Sequence, residues 1–544
     1  MYFKLSFFCC FERECVIIHL ILFDKSKLAN EIALPFKNGL KAIIRGENMR
    51  KIIDIQMKFG EVDISKIEFD PRSRDEIPKL LMGLQEIYCN RKVRDDVFAV
   101  LHDLVPEDID QNNGRRGMDL WKILVLGTLR LSCNWDYDKL TDIANNHNTL
   151  RLMLGHGSFY DDYHYPLQTL KDNLSLFTPE VLDRINRIVL QHGHQLIGKK
   201  KDEGLRASCD SFVVETDVHY PTDINLLFDG MRKVILLIMA LCDDLGVSGW
   251  RKGVYNLKKV KIYFRKAQQL KRSTSKDKTK RAKRGQLIID AHMAYVELAN
   301  SFIDTAKETI RSLSSTNMMV HLRIAEIQKY IAHAERQIDQ IRRRVVEGET
   351  IAHHEKVFSL FEEHTEWINK GKAGVSQELG LKVCVVKDQF GFILHHRVMQ
   401  NETDDQIAVP IIRETKERFA DLGSCSFDKG FHSPENQEQL RGILDQVVLP
   451  RKGKLSAINK EIENSEEFRE GRRKHSAVES CINALENHGL DRCRDHGIKG
   501  FKRYVALAVV ARNIQIIGHV LQQKELKRVQ HLERKQKQRQ QFAT

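Results

Sequence analysis

The stretch that most constrains this chain runs from Leu205 to Asp223. Leu205-Arg206-Ala207-Ser208-Cys209-Asp210-Ser211-Phe212-Val213-Val214-Glu215-Thr216 reads as a β-strand with an acid at its centre, and Pro221 marks the turn that follows. A mid-strand aspartate is costly to bury unless it meets a cation. Any fold for this chain must therefore bring something to Asp210. Two later stretches offer companions. Ser424 to Phe431 reads as a strand ending in Asp428-Lys429-Gly430, and Arg472-Arg473-Lys474-His475-Ser476-Ala477-Val478-Glu479 sets Glu479 early in a helix. Two aspartates and a glutamate are hard oxygen donors of the kind that bind magnesium or manganese.

Between these stretches the character of the chain changes twice. Met231 to Leu245 is apolar and helical, and Trp250 to Arg284 is dense in cations, among them Lys258, Lys259, Arg281, Lys283 and Arg284. Such a run suits a phosphate backbone, with a solvated helix face as the plainer reading. Two heptad tracks follow, Val296, Ala299, Ile303, Ala306, Ile310, Leu313 and then Val320, Ile324, Ile327, Ile331, Ala334, Ile338, Ile341, Val345. Their alternating three- and four-residue steps predict a coiled-coil seam. With Ser314 to Asn317 as a turn, they predict an antiparallel hairpin with arms of about 40 Å.

Strand pattern returns at Leu379 to Leu394 around a turn at Asp388-Gln389-Phe390-Gly391, followed by a helix over Asp405 to Leu422 and the strand to Asp428. Beyond Glu479 the pattern predicts a helix to His488, a turn at Gly497 to Gly500, an apolar helix over Phe501 to Leu521 and a basic, Gln-rich tail. The order strand, insertion, strand, strand, helix, strand, helix predicts an α/β sheet split by an all-helical insertion. Upstream, Ile77 to Tyr88 predicts a short amphipathic helix. After a turn at Asn112 to Gly117, three short helices follow at Leu120–Leu131, Lys139–His147 and Thr149–Gly155, which permit a helix-turn-helix.

A chain of 544 residues with 42% hydrophobic residues can bury two or more cores. Its net charge of +13 points to a polyanionic partner, and its eleven cysteines, without repeated spacing, fit reduced thiols. No run approaches the roughly 18 apolar residues that would span a bilayer. These features predict no membrane partner.

Three ordered pieces carry a family likeness: Cys209-Asp210-Ser211 through His219-Tyr220-Pro221-Thr222-Asp223, Phe427-Asp428-Lys429-Gly430-Phe431-His432-Ser433-Pro434-Glu435-Asn436, and His475-Ser476-Ala477-Val478-Glu479 with Asn487-His488-Gly489-Leu490. The sequence resembles bacterial insertion-sequence transposases of the DDE class, with an RNase H-like catalytic domain, and looks closest to the ISNCY-type group. The likeness runs from about Met49 to Leu521, so 1–48 reads as an extension outside the family and Met49 as an alternative start.

The resemblance implies an α/β RNase H-like catalytic domain over 203–249 plus 360–521, interrupted by a basic helical and coiled-coil insertion over 250–359. A mixed segment (49–110) and a helical DNA-binding region (111–200) precede it, and a basic tail (522–544) ends it. It further implies Asp210, Asp428 and Glu479 as catalytic metal ligands, with Asp210 bridging two magnesium or manganese ions, since phosphoryl transfer uses such a pair.

The partners implied are double-stranded DNA, as transposon ends and target, and a second copy in a dimer on that DNA, with no small-molecule substrate. The setting implied is a bacterial cytoplasm at the nucleoid. Related transposases carry Arg four residues before the catalytic Glu and a cation two turns after; here His475 and Leu485 stand there, so Arg472, Arg473, Lys474 and His475, with Lys429, are the candidate phosphate contacts.

Alternatives stay open at the level of sequence. Asp217, Asp223 and Glu486 compete with the chosen acids. Cys481, His488, Cys493 and His496 offer a weak zinc spacing. An RNase H-like nuclease without strand transfer, or an inactive DNA-binding scaffold, would carry much of the same text.

Overall fold

The computed structural model describes residues 10–11, 14–15, 51–53, 61–105, 117–157, 162–313, 316–369 and 377–542. The expected extension 1–48, apart from a two-residue strand pairing at Cys10–Phe11 and Glu14–Cys15, lies outside the described residues, as do Asn112 to Arg116 of the expected turn and Ser314-Ser315 of the hairpin. The chain divides into two compact units, one from Leu227 to Thr350, the other holding the residues before Leu227 from Glu47 and those from Ile351 onward.

The second unit is built on a seven-stranded sheet. Its strands are β1 (Leu205–Thr216), β2 (Glu366–Asn369), β3 (Gln377–Asp388), β4 (Ile393–Val398), β5 (Leu422–Phe427), β6 (Gln446–Val448) and β7 (Arg492–Cys493). The order is β2-β3-β1-β5-β6, with β4 also on β3 and β7 also on β1. β3 runs antiparallel to β1, whereas β5 pairs with it in parallel and β6 with β5 in parallel. β1 is buried through most of its length, as a central strand of an α/β sheet must be. The sheet is therefore a mixed α/β one with many helices around it.

Seven helices precede β1: α1 (Glu76–Cys89), α2 (Arg91–His102), α3 (Leu120–Ser132), α4 (Tyr137–Asn146), α5 (Asn148–Met153), α6 (Leu167–Leu174) and α7 (Pro179–Leu196). They share one hydrophobic core with the sheet. Every residue of α3 but Lys122 is buried, so α3 presents no face for reading DNA. α2 was not expected. Its charged start, Arg91 to Asp96, masks the track Val93, Val97, Val100 and Leu101 that it buries.

The last helix of the chain runs unbroken from Gly497 to Phe542. The turn expected at Gly497 to Gly500 is its first turn; only Gly497 takes a left-handed φ, +72°. It packs against α1, α3 and α7. At its crossing with α1 the backbones touch: a Cβ on Gly518 would lie 1.7 Å from the Lys79 carbonyl oxygen. Contrary to the expectation from apolar runs, its Gly497–Gln536 part is long and apolar enough to cross a membrane, but 72% of its most apolar window is buried inside the protein. That is the signature of a core helix.

The first unit is all-helical: most of α8 (Asp223–Leu245), then α9 (Gly253–Gln269), α10 (Lys278–Ser312) and α11 (Met318–Val345). The two heptad tracks lie on α10 and α11, with Val296, Ala299, Ile303, Ala306, Ile327, Ile331, Ala334, Ile338 and Ile341 buried. The arms are not alone. Gly230 of α8 lies against Ala334, the Phe228 ring stacks on Phe264 of α9 at 4.8 Å, and Trp250 Nε1 donates to Thr309 Oγ1 at 3.0 Å. Four helices share the core where a two-helix seam was expected.

Candidate active site

Strand register builds the site. Residues 205 and 422, then 206–209 and 424–427, are partners across β1 and β5, ending at Cys209 opposite Phe427. The next residue on each strand line is an aspartate, Asp210 and Asp428, and neighbouring strands lie about 4.8 Å apart. Side chains alternate faces. Asp210 therefore shares a face with Ser208, and Asp428 with Ser426. Those two serines touch, Ser426 Oγ donating to Ser208 Oγ at 2.9 Å.

His475 is hydrogen-bonded through Nδ1 to the same Ser426 hydroxyl at 3.0 Å, which fixes the end of the helix Glu466–His475 over this face. One turn further on, Glu479 stands in the first turn of the helix Ala477–Leu485, which packs against β1. The three sequence-chosen acids thus come from the middle of β1, the residue after β5 and the first turn of a helix packed on β1. Asp428 lies just past the carboxyl end of β5, the kind of edge where open α/β sheets bind their ligands, while β1 runs on beyond Asp210 to Thr216.

The charges agree with the register. Burial pushes the Asp210 carboxyl up to about 6; the backbone N–H of Ser211, donating at 2.7 Å, opposes this, and the charges of Asp428, Asp404 and Glu479 reinforce it. Asp210 is thus a partly buried acid whose charged neighbours are themselves acids. In donor chemistry and charge these residues fit a hard divalent ion. Among the described residues no three His, Cys, Asp or Glu side chains stand close enough to share one ion as arranged. His475 sits below its ordinary pKa through burial, although Asp428 and Glu479 pull it upward. A neutral imidazole brings no positive charge to a phosphate.

The remaining candidates are dispersed. Lys429 is exposed in the short turn after Asp428, and Arg472, Arg473 and Lys474 are exposed in the last turn of their helix, where cations also suit the helix dipole. Lys474 is engaged by Glu470 at 2.6 Å. Lys258, Lys259, Arg281, Lys283 and Arg284 belong to the helical unit, on α9 and at the start of α10; the first four are exposed, and Arg284 Nε donates to the Lys271 carbonyl at 3.0 Å. Asp217 lies beyond the strand at the surface, beside Arg492 at 3.7 Å.

The zinc spacing dissolves. His488 is tied to the Ser132 carbonyl, His496 Nδ1 to Glu362 at 2.9 Å, and the Cys493 thiol points to the Asp495 carbonyl at 3.4 Å. Asp404, at the start of α12 (Asp404–Arg418), is the acid that sequence reasoning missed. An acid in a first helical turn reads as ordinary helix chemistry, and only tertiary placement sets it near Asp210.

The domain is thus a mixed α/β sheet with helical regions that carries its acids within β1, just past β5 and on the adjoining helix. Residues 339–514 match the family model of the transposase DDE domain, which supports a DDE-class insertion-sequence transposase. The match takes in Asp428 and Glu479 and begins well after Asp210, which joins them through the parallel pairing of β1 with β5. No curated protein and no solved structure matches the chain.

Proposed function

We propose that this transposase binds the terminal inverted repeats of its element, cleaves DNA at those ends and joins the freed 3′-OH to target DNA. We read the sheet as RNase H-like and Asp210, Asp428 and Glu479 as its catalytic acids. The single observation behind this reading is the register that ends at Cys209 and Phe427, with an aspartate next on each strand. Magnesium or manganese, bound by these carboxylates, would activate the attacking oxygen and stabilise the leaving one.

The chain's own residues do the rest. Asp210, with its carboxyl held near the boundary of ionisation, gains most from a cation. His475, fixed by Ser426, holds the helix start that carries Glu479. The exposed cations Lys429, Arg472 and Arg473 are suited to the DNA backbone around the scissile phosphate, and those of α9 and α10 to DNA further out. Two ends must be held at once, so the working form on DNA is a dimer.

The test is a cleavage and joining assay in magnesium on DNA carrying the element's ends, with Asp210→Ala, Asp428→Ala and Glu479→Ala beside the wild type. All three variants should bind the ends yet neither cut nor join. A variant that still cuts removes its acid from the set. Cutting without joining would make the protein a nuclease, and binding alone a scaffold.

A further inference from the structure

We propose that Asp404 is a positioning residue that brackets the two strand-borne acids from behind; this rests on the reading of Asp210 and Asp428 as ligands. Both carboxylate oxygens of Asp404 are committed. Oδ1 accepts the Ser211 hydroxyl at 2.7 Å, and Oδ2 accepts from Lys382 Nζ at 2.8 Å. Ser211 is the residue whose backbone N–H donates to Asp210 Oδ1 at 2.7 Å. Because side chains alternate along β1, Ser211 points away from the face that carries Asp210. Asp404 therefore grips the strand from the opposite face and fixes the amide that orients Asp210.

The same carboxylate supports Asp428. A Cβ added to Gly430, two residues after Asp428, would lie 3.1 Å from Asp404 Oδ2 and 3.6 Å from its Cβ. The turn that follows Asp428 is thus seated directly on Asp404. On the same turn, Lys452 Nζ donates to the Gly430 carbonyl at 2.9 Å. Helix capping does not account for Asp404, because Thr403 and Gln406 already form the capping box of α12. Lys382, on β3 beside β1, balances the charge that Asp404 adds behind the site. Groups that orient metal ligands in this way change metal affinity by about 10–100-fold when removed.

The test is Mn2+ binding to the full-length protein without DNA, read as loss of the free-ion signal in electron paramagnetic resonance. Wild type, Asp404→Asn, Ser211→Ala, Ser211→Thr and Asp428→Ala are compared at a temperature where melting curves show all of them folded. Ser211→Ala and Asp404→Asn should each weaken Mn2+ binding about tenfold, Ser211→Thr should restore it, and Asp428→Ala should remove it. Unchanged affinity in Ser211→Ala and Asp404→Asn, with or without a lower melting temperature, would overturn the bracket while leaving the three acids standing. Unchanged affinity in Asp428→Ala, or no binding by the wild type, would overturn the acids and the bracket together.

Discussion

Two sets of charges in the sheet-bearing unit are balanced in opposite ways, one buried in the core and one nearer the surface, where Asp428 and Glu479 are exposed and Asp210 and Asp404 partly buried. Around Asp495 opposite charges meet. Arg130 Nη1 donates to Asp495 Oδ1 at 2.9 Å and Arg503 Nη2 to Oδ2 at 3.0 Å, with Arg130 1% and Asp495 6% exposed. The Arg130 guanidinium also lies 3.9 Å from the Tyr137 ring centre and 5.3 Å from that of Tyr504. Around Asp210 the neighbours are Asp428, Asp404 and Glu479, all of like sign. Evolution of a stable core explains the first set, since a buried charge needs its partner. It does not explain the second, where Lys382 pairs with Asp404 but the charges gathered around Asp210 are of its own sign.

Four outcomes sharpen that contrast. The largest is catalytic: Asp210→Ala should lower the rate of end cleavage by at least about 10³-fold while leaving the protein folded, as when a member of a concerted catalytic set is removed. Next, Asp495→Ala should cost about 3–5 kcal/mol in denaturant unfolding, because it strands Arg130 in the core.

A smaller effect has the opposite sign. The folded-state pKa of Asp210 is raised to about 6, so its contribution to stability is full below the unfolded value near 4 and is lost as pH rises through 6. Asp210→Asn should therefore stabilise the metal-free protein at pH 7 by about 1–2 kcal/mol, allowing for solvent screening, and the gain should vanish near pH 4. Magnesium should narrow the difference by stabilising the wild type alone. The smallest effect belongs to the former zinc candidate. His496→Gln should change unfolding by less than about 1 kcal/mol, and elemental analysis of the purified protein should find no stoichiometric zinc.

The contrast also explains what could be read from sequence. Asp210 and Asp428 were legible because each stands in or at the end of an apolar strand, where an acid is out of character. Glu479 was legible from its place in an ordered set. Asp404 was not, because a helix-start acid looks ordinary and its partners Ser211 and Lys382 are 193 and 22 residues away. Asp495 was hidden in the same way by its distance from Arg130, 365 residues along the chain.

The helices followed their periodicity except where composition misled. The glycines at 497 and 500 suggested a turn that the Gly497–Phe542 helix runs through, while the basic, Gln-rich stretch beyond Leu521, open to a solvated or partly helical reading, continues that helix. The heptads on α10 and α11 were plain, yet a heptad reports only a buried stripe. What covered it, α8 and α9 besides the partner arm, was settled by tertiary packing.

The most direct test is anomalous diffraction from crystals of the full-length protein soaked in manganese. The account predicts manganese density within bonding distance of Asp210 and Asp428, with Glu479 turned toward it, and none at Asp495. Manganese absent from the Asp210–Asp428 face while present elsewhere in the protein would contradict it.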